Sequence, residues 1–434
     1  MKIFLWVLLF IPAALSVPAE ASGESGYGKI LISSAAAVES DDAFLEDLSR
    51  RSFRFFIDNA DTKTGLVLDR ARADGSAGDI NHASAASIAS TGFGLSALCI
   101  GAQRGWMDPG EAASLVSKTL EFFAEKAYNT HGWFYHWMDA GTGERIWGSE
   151  VSSIDTAILL AGVLTAKQCF SSDIRIGALA DKIYRRVDFK WMLNGDKNIL
   201  SHGWRPETGF ISHRWEIHSE AMLLYLLGIG SPSFPLPASS WRAWKRPVLE
   251  YGYFRYISGA EPLFIHQYSQ AWINFSGRKD KGTDWFENSV RATKANRQMC
   301  IDLASRFPGY TADIWGITAS DGASGYMVWG GPLPTPNIDG TVAPSAAGGS
   351  LMLTPEITLP ALKAMKSIYG DRIYNIYGFA NAFNPSNGWF DADVIGIDTG
   401  IILLSAENLR SGSLWRWFMA NPEITAALKT AGVN

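Results

Sequence analysis

The feature that most constrains this chain is a succession of about twelve helix-length apolar segments, joined by loops rich in glycine and aromatic residues, with few strand-like runs. Asp41-Asp42 opens one segment, where Phe44, Leu48, Phe53, Phe56 and Ile57 recur near the helical period. Residues 109–126 begin with proline in the first turn, where a missing N–H costs nothing, and set Leu115, Thr119, Phe122 and Phe123 on one side. Residues 84–103 are mostly small and suit a helix that packs closely against its neighbours. The pattern predicts further helices over 154–168, 174–187, 220–227, 239–245, 264–273, 286–304, 354–369, 399–410 and 414–419. Short extended pieces are expected near 132–137, 209–214 and 325–329. No strict repeat recurs, which disfavours a solenoid. The expected architecture is therefore all-α: an (α/α)6 toroid of helical hairpins over residues 41–434, with short β-hairpins in the loops at the mouth of its site.

Composition narrows the function. Hydrophobic residues make up 47% of the 434 and charged residues 19%, enough to bury a large core and too apolar for a disordered chain. With 38 Lys+Arg against 43 Asp+Glu, no basic field exists to hold nucleic acid or an acidic membrane. The outlier is 17 Trp, more than a core needs; flat rings lining a groove for sugars are one natural use, and filling a large core is the competing one for any single Trp.

The amino terminus reads as an address. Lys2 precedes an apolar run from Ile3 to Leu15 that is too short to span a bilayer, and Ala19-Glu20-Ala21 fits the small-x-small pattern of a cleavage site. A signal peptide over 1–21, a flexible leader over 22–40 and an exported, periplasmic or secreted protein with no membrane span are expected. Cys99, Cys169 and Cys300 sit among apolar neighbours without short spacing, so they read as small buried hydrophobes, with one disulfide as the lesser alternative. Seven scattered histidines show no metal-ligand spacing, and neither a Gly-x-Ser-x-Gly elbow nor a Walker loop occurs. No metal and no cofactor are called for.

Hydrolysis of a glycoside needs one protonated and one ionised carboxyl group flanking the scissile bond, so acids embedded in apolar or aromatic stretches are the candidates. Three places qualify. Glu150 and Asp155 open an apolar helix after Trp147, where helix capping is the competing role. Glu220 begins a second apolar helix behind Ser219, with Glu216 a weaker candidate one turn back. Asp391, Asp393 and Asp398 follow Trp389 and Phe390 and precede a third. A calcium loop would need more oxygen ligands than this last stretch carries.

At these segments the sequence resembles the bacterial β-1,2-glucanases and the related glucoamylase-like domain at the carboxyl end of cyclic β-1,2-glucan synthases. The resemblance is carried by Glu150-Val-Ser-Ser-Ile-Asp155, Ser219-Glu-Ala-Met-Leu-Leu-Tyr225, His266-Gln-Tyr-Ser-Gln-Ala-Trp272 and Trp315-Gly-Ile-Thr-Ala-Ser-Asp321. Asp339-Gly-Thr-Val-Ala-Pro344, Asp391-Ala-Asp-Val-Ile-Gly-Ile-Asp398 and Trp415-Arg-Trp-Phe-Met-Ala-Asn-Pro422 extend it to most of the chain. It implies an (α/α)6 fold, export and anomer-inverting cleavage of β-1,2-glucan. Glu220 matches the general acid, Glu150 an acid needed in the cleft, and Asp391 the nearest match to the base, with Asp393 and Asp398 beside it. Where the family has Tyr-x-Glu-Tyr-Ser-Glu this chain has Trp215-Glu-Ile-His218-Ser-Glu.

On this reading Trp137, Trp147, Trp315, Tyr326 and Trp389 are sugar platforms, while Asp155, Arg214, His266, Gln267, Asp321 and Asp393 bind hydroxyls. The expected partner is a glucan or oligosaccharide, and a monomer is expected. The alternatives are a retaining transglycosylase using Glu150 with Glu220, and a non-catalytic glycan-binding protein. A lyase is disfavoured because uronates want a basic cleft.

Overall fold

Four helices here are buried on almost every side, and that decides what can lie inside. The computed structural model describes residues 39–259, 262–330 and 337–434; the expected signal peptide and all but the last two residues of the expected leader lie outside the described residues. The helices are α1 (Asp41–Asp58), α2 (Ile88–Arg104), α3 (Pro109–Glu121), α4 (Ser153–Cys169) and α5 (Ile174–Arg186). There follow α6 (Met222–Ile229), α7 (Ser240–Ala243), α8 (Tyr268–Trp272), α9 (Trp285–Asp302) and α10 (Pro344–Gly348). The series ends with α11 (Pro355–Tyr369), α12 (Gly396–Arg410), α13 (Ser413–Met419) and α14 (Pro422–Ala431). The fold is predominantly helical, as expected, and Ser40–Asn434 forms one compact unit.

Helices α2, α4, α6 and α12 are buried almost all round, the signature of a helix enclosed by protein. Amphipathic helices cover them: α1 packs on α2 and α12, α3 on α2, α5 on α4, and α14 on α6. Small residues set the closest approach. A Cβ on Gly162 of α4 would collide with the Gly92 carbonyl of α2, and one on Gly92 with the Ile158 carbonyl. Among the described residues no helix is long and apolar enough to cross a membrane. Cys99 and Cys300 are buried, Cys169 is partly buried, and all three are free.

The strands are short, and three of them fix where buried helices begin. Ala85–Ser87 pairs with Trp137–Asp139 and leads into α2; Asp393–Ile395 pairs with Arg70–Arg72 and leads into α12. Val151–Ser152 joins Gly203–Arg205 and leads into α4. This pairing explains why the helix expected from residue 84 starts at Ile88. The helix expected from Glu220 starts at Met222 for another reason. Ser269 of α8 donates from Oγ to the Glu220 carbonyl at 2.7 Å and accepts from the Leu223 N–H at 3.0 Å, holding the preceding turn open. The expected 264–273 helix divides into a tight turn over Leu263–His266 and α8. Helices α10 and α14 were not anticipated; both begin at a proline.

Candidate active site

The first turns of α2, α4 and α12 and the turn before α6 meet at one cavity of about 470 Å³. Ser87, Ala89, Ile154, Asp155, Glu220, Ile397 and Asp398 line it from these starts, and Phe264 and Tyr268 from the approach to α8. The loops add Asp69, Arg70, His82, His136, Trp137, Trp147 and Tyr326. Helix amino termini present unpaired N–H groups and a positive dipole end, so carboxylates gather where several such ends converge.

Glu220 hangs in the turn ahead of α6. Burial, reinforced by the negative charge of Asp155, pushes its carboxyl up to about 7, so much of it holds a proton at neutral pH. Asp155 is the first-turn acid of α4, and Ser152 Oγ donates to its Oδ2 at 2.5 Å while accepting its backbone N–H at 3.3 Å. Ser152, not Asp155, is therefore the cap of α4, and the Asp155 carboxyl faces the cavity.

Asp398 has the corresponding place at the start of α12, where Asn381 Nδ2 donates to its Oδ2 at 2.7 Å. Burial pushes it up to about 7; the charges of Asp321 and Asp69 add to this and the Asn381 hydrogen bond opposes it.

Glu150 is not among the residues that line the cavity. His136 Nδ1 lies 3.2 Å from its Oε1, and Arg205 donates to its Oε2 at 3.1 Å. The His136 hydrogen bond outweighs burial and, with the positive charges around it, pulls Glu150 down to about 2.

Asp391 is also outside the lining of the cavity. It belongs to a cluster in which Arg70 bridges Asp321 at 2.8 Å and approaches Asp393 at 3.7 Å, while Arg72 holds Asp393 at 3.1 Å. Burial and then the charge of Asp321 push Asp391 up to about 7, and its Oδ2 is buried without a hydrogen-bond partner.

Of the expected platforms, Trp137, Trp147 and Tyr326 reach the cavity. Trp147 is 51% exposed and meets Trp137 edge-on with ring centroids 5.5 Å apart. Trp315 does not reach it: the ring is fully buried in the second apolar cluster, packed with residues such as Phe307 and Tyr310, and is core. Gln267 is likewise buried, tied by its Nε2 to the Ala346 carbonyl and Ser350 Oγ at 2.8 Å each. His266 is buried against Ser258 and lines a separate cavity of about 300 Å³. Arg214 spends its guanidinium on the carbonyls of Leu193, Asn194 and Ile199, fastening a loop rather than meeting a ligand. Trp389 pairs in strand register with Asn384 and is not among the residues lining the cavity.

The sequence reading missed Asp69, Arg70, His82, His136 and Tyr268. One signal was available for His136: it abuts Trp137, which the aromatic excess had already marked. Among the described residues no group of three or more His, Cys, Asp or Glu is placed to hold a metal ion.

A cavity with two carboxyls raised to about 7, Glu220 and Asp398, beside Asp155 and exposed aromatic rings can bind a sugar and protonate a leaving oxygen. The model of the Glycoamylase family, described as "Putative glucoamylase", matches residues 212–422. A structure from Bacteroides uniformis described in the same words is 30% identical with TM-score 0.84, and the alignment covers 91% of this chain and 98% of that one. An endo-β-1,2-glucanase from Chitinophaga pinensis, solved with sophorotriose and glucose, is 28% identical with TM-score 0.83, covering 90% and 98%. The exo-β-1,2-glucooligosaccharide sophorohydrolase of Parabacteroides distasonis is 28% identical over 90% of this chain, which spans 58% of that relative's length. Likeness at this level, extending over nine-tenths of the chain and nearly all of two solved relatives, means that the chain belongs to the glucoamylase-like glycoside hydrolase family that includes these β-1,2-glucanases.

Proposed function

We propose that the protein is an exported, monomeric hydrolase of β-1,2-glucan that works with inversion at the anomeric carbon. The observation that carries this reading is Glu220: a carboxyl raised to about 7 in the wall of a cavity that also presents Asp398 and the rings of Trp137 and Trp147. Glu220 donates its proton to the departing glycosidic oxygen. Asp398 takes a proton from water as that water attacks the far face of the sugar, a task suited to a group whose pKa lies near the working pH. Asp398 displaces Asp391 as the favoured base because it lines the cavity and Asp391 does not.

The toroid is part of the same proposal. The even-numbered helices follow one another in contact: α2 on α4, α4 on α6, α6 on α8, the turn before α8 on α10, α10 on α12, and α12 back on α2. Such a ring gathers helix starts at one mouth, where the acids are.

The test is the first-formed product. Incubated with linear β-1,2-glucan, the enzyme should release reducing ends as the α-anomer in early NMR spectra; initial β-anomer would overturn inversion and favour a covalent intermediate. The amino-terminal residue of the protein recovered from a bacterial periplasm should be Ser22, and recovery of the uncut chain in the cytoplasm would sink export.

A further inference from the structure

Two carboxylates converge on one nitrogen of His136. Its Nδ1 lies 3.2 Å from Glu150 Oε1 and 3.5 Å from Asp155 Oδ2. The residue cannot easily move away. Its N–H donates to the Glu150 carbonyl at 2.9 Å, and its carbonyl accepts the Ile88 N–H at 3.2 Å where α2 begins. The ring stacks on Trp137 with centroids 3.5 Å apart and planes 13° from parallel.

Ionised carboxylates only accept hydrogen bonds, so two of them at one ring nitrogen require a proton on Nδ1, and their two negative charges favour the doubly protonated imidazolium over the neutral Nδ1–H tautomer. The other charged and titratable groups around it divide by sign. Asp69, ahead of the Arg70–Arg72 strand, adds negative charge and is itself 3.4 Å from Arg70. Arg205 on the Gly203–Arg205 strand occupies the other oxygen of Glu150. Nearby His202 is kept largely neutral by burial. Burial alone would lower His136, yet Asp155, Glu150 and Asp69 more than offset it and the ring is raised above its ordinary value.

We propose that His136 is a positioning residue: as an imidazolium it fixes Glu150 and Asp155 as a rigid pair of carboxylates beside the proton donor Glu220. This rests on the reading of Glu220 as the acid. Asp155 is the nearby charge that helps Glu220 keep its proton, so anchoring Asp155 preserves the donor. Without the positive ring, two like charges face each other at the start of α4; Arg205 reaches Glu150, and the hydrogen bond from Ser152 to Asp155 brings no charge.

The experiment has two arms on the full chain. In the first, the ring nitrogens of His136 are titrated by ¹⁵N NMR without substrate. The midpoint should lie above about 6.5, the ordinary histidine value, and should fall in Glu150→Gln and in Asp155→Asn. A midpoint at or below that value, or one indifferent to both substitutions, overturns the clamp whether or not the enzyme cleaves β-1,2-glucan.

In the second arm, His136→Asn keeps an N–H near the Nδ1 position but no charge. On β-1,2-glucan it should lower kcat by roughly tenfold or more with KM within about twofold, and the loss should largely vanish when Glu150 is already Gln, because the residues act as one unit. Additive losses, or a change confined to KM, overturn the positioning role.

Discussion

Asp155 and Asp398 occupy the same position in two buried helices: each is the third residue, in Ser153-Ile154-Asp155 and Gly396-Ile397-Asp398, and each follows an isoleucine that lines the cavity. Both helices also start directly after a short strand, Val151–Ser152 in one case and Asp393–Ile395 in the other. A repeated local design thus delivers two carboxyls to one cavity from different walls. Their surroundings separate them: Asp155 is held by Ser152 and lies near His136, while Asp398 is raised to about 7 chiefly by burial.

Replacing the donor should trade activity for stability. Glu220→Gln is expected to lower kcat on β-1,2-glucan by about 10²-fold or more, the usual scale for removing a general acid. Its folded pKa, about 7, lies above the ordinary 4.5, so the native state holds a proton that the unfolded chain has released between those values. Stability from this group is therefore complete below 4.5 and lost as pH rises through 7. At about 1.4 kcal/mol per pKa unit the loss is about 3 kcal/mol. Thermal melts should find Glu220→Gln more stable than the parent at pH 8 and equal to it at pH 4; equal melting at both would refute the raised pKa.

The base can be assigned by paired substitutions. Asp398→Asn is expected to abolish turnover as thoroughly as Glu220→Gln, and added azide should not restore it with a retained anomer. Asp391→Asn should leave more activity, since Asp391 stands outside the cavity lining. Steady-state kinetics showing Asp391→Asn as the more damaging change would return the base to Asp391.

Glu150 has the opposite pH signature to Glu220. Its folded pKa, lowered to about 2 chiefly by the His136 hydrogen bond, gives stability that is present above 4.5 and lost as pH falls toward 2. Acid unfolding followed by circular dichroism should show Glu150→Gln losing less stability between pH 5 and pH 2 than the parent. Parallel curves for the two proteins would contradict the depressed value.

Two tryptophans should respond in opposite ways. Trp315→Ala removes a fully buried ring and should cost about 3–5 kcal/mol in denaturant unfolding. Trp147→Ala, half exposed at the cavity, should leave the melting temperature nearly unchanged and raise KM for long glucans more than for short ones. A fold-destabilising Trp147→Ala with unaltered KM would remove it from the sugar site.

Local pattern was enough to find most helices and the acid-bearing segments, because apolar periodicity and helix-start chemistry are written in neighbouring residues. Glu220, Asp155 and Asp398 were visible that way: each sits at or just before the start of an apolar helix. The same reasoning failed for Trp315 and Gln267, since an aromatic or amide in a loop looks alike whether it meets solvent or another core; a cluster that also draws in distant Phe44 and Ile402 decides the first, and distant Ser350 the second.

What the sequence determined by itself was helical content, the identity of the acids and the surplus of rings. What tertiary structure decided was which of them share one cavity. Arg70–Arg72 pairs with Asp393–Ile395 across more than three hundred residues, and that register turns Asp398 toward the cavity while Asp391 and Asp393 remain in a cluster with Asp321 and the arginines. His136 joins Glu150 and Asp155 for a similar reason: its strand neighbours, not its own side chain, place it at the foot of α4. Chain folding alone sets such proximities, and with them the burial and neighbouring charge that raise Glu220 and lower Glu150.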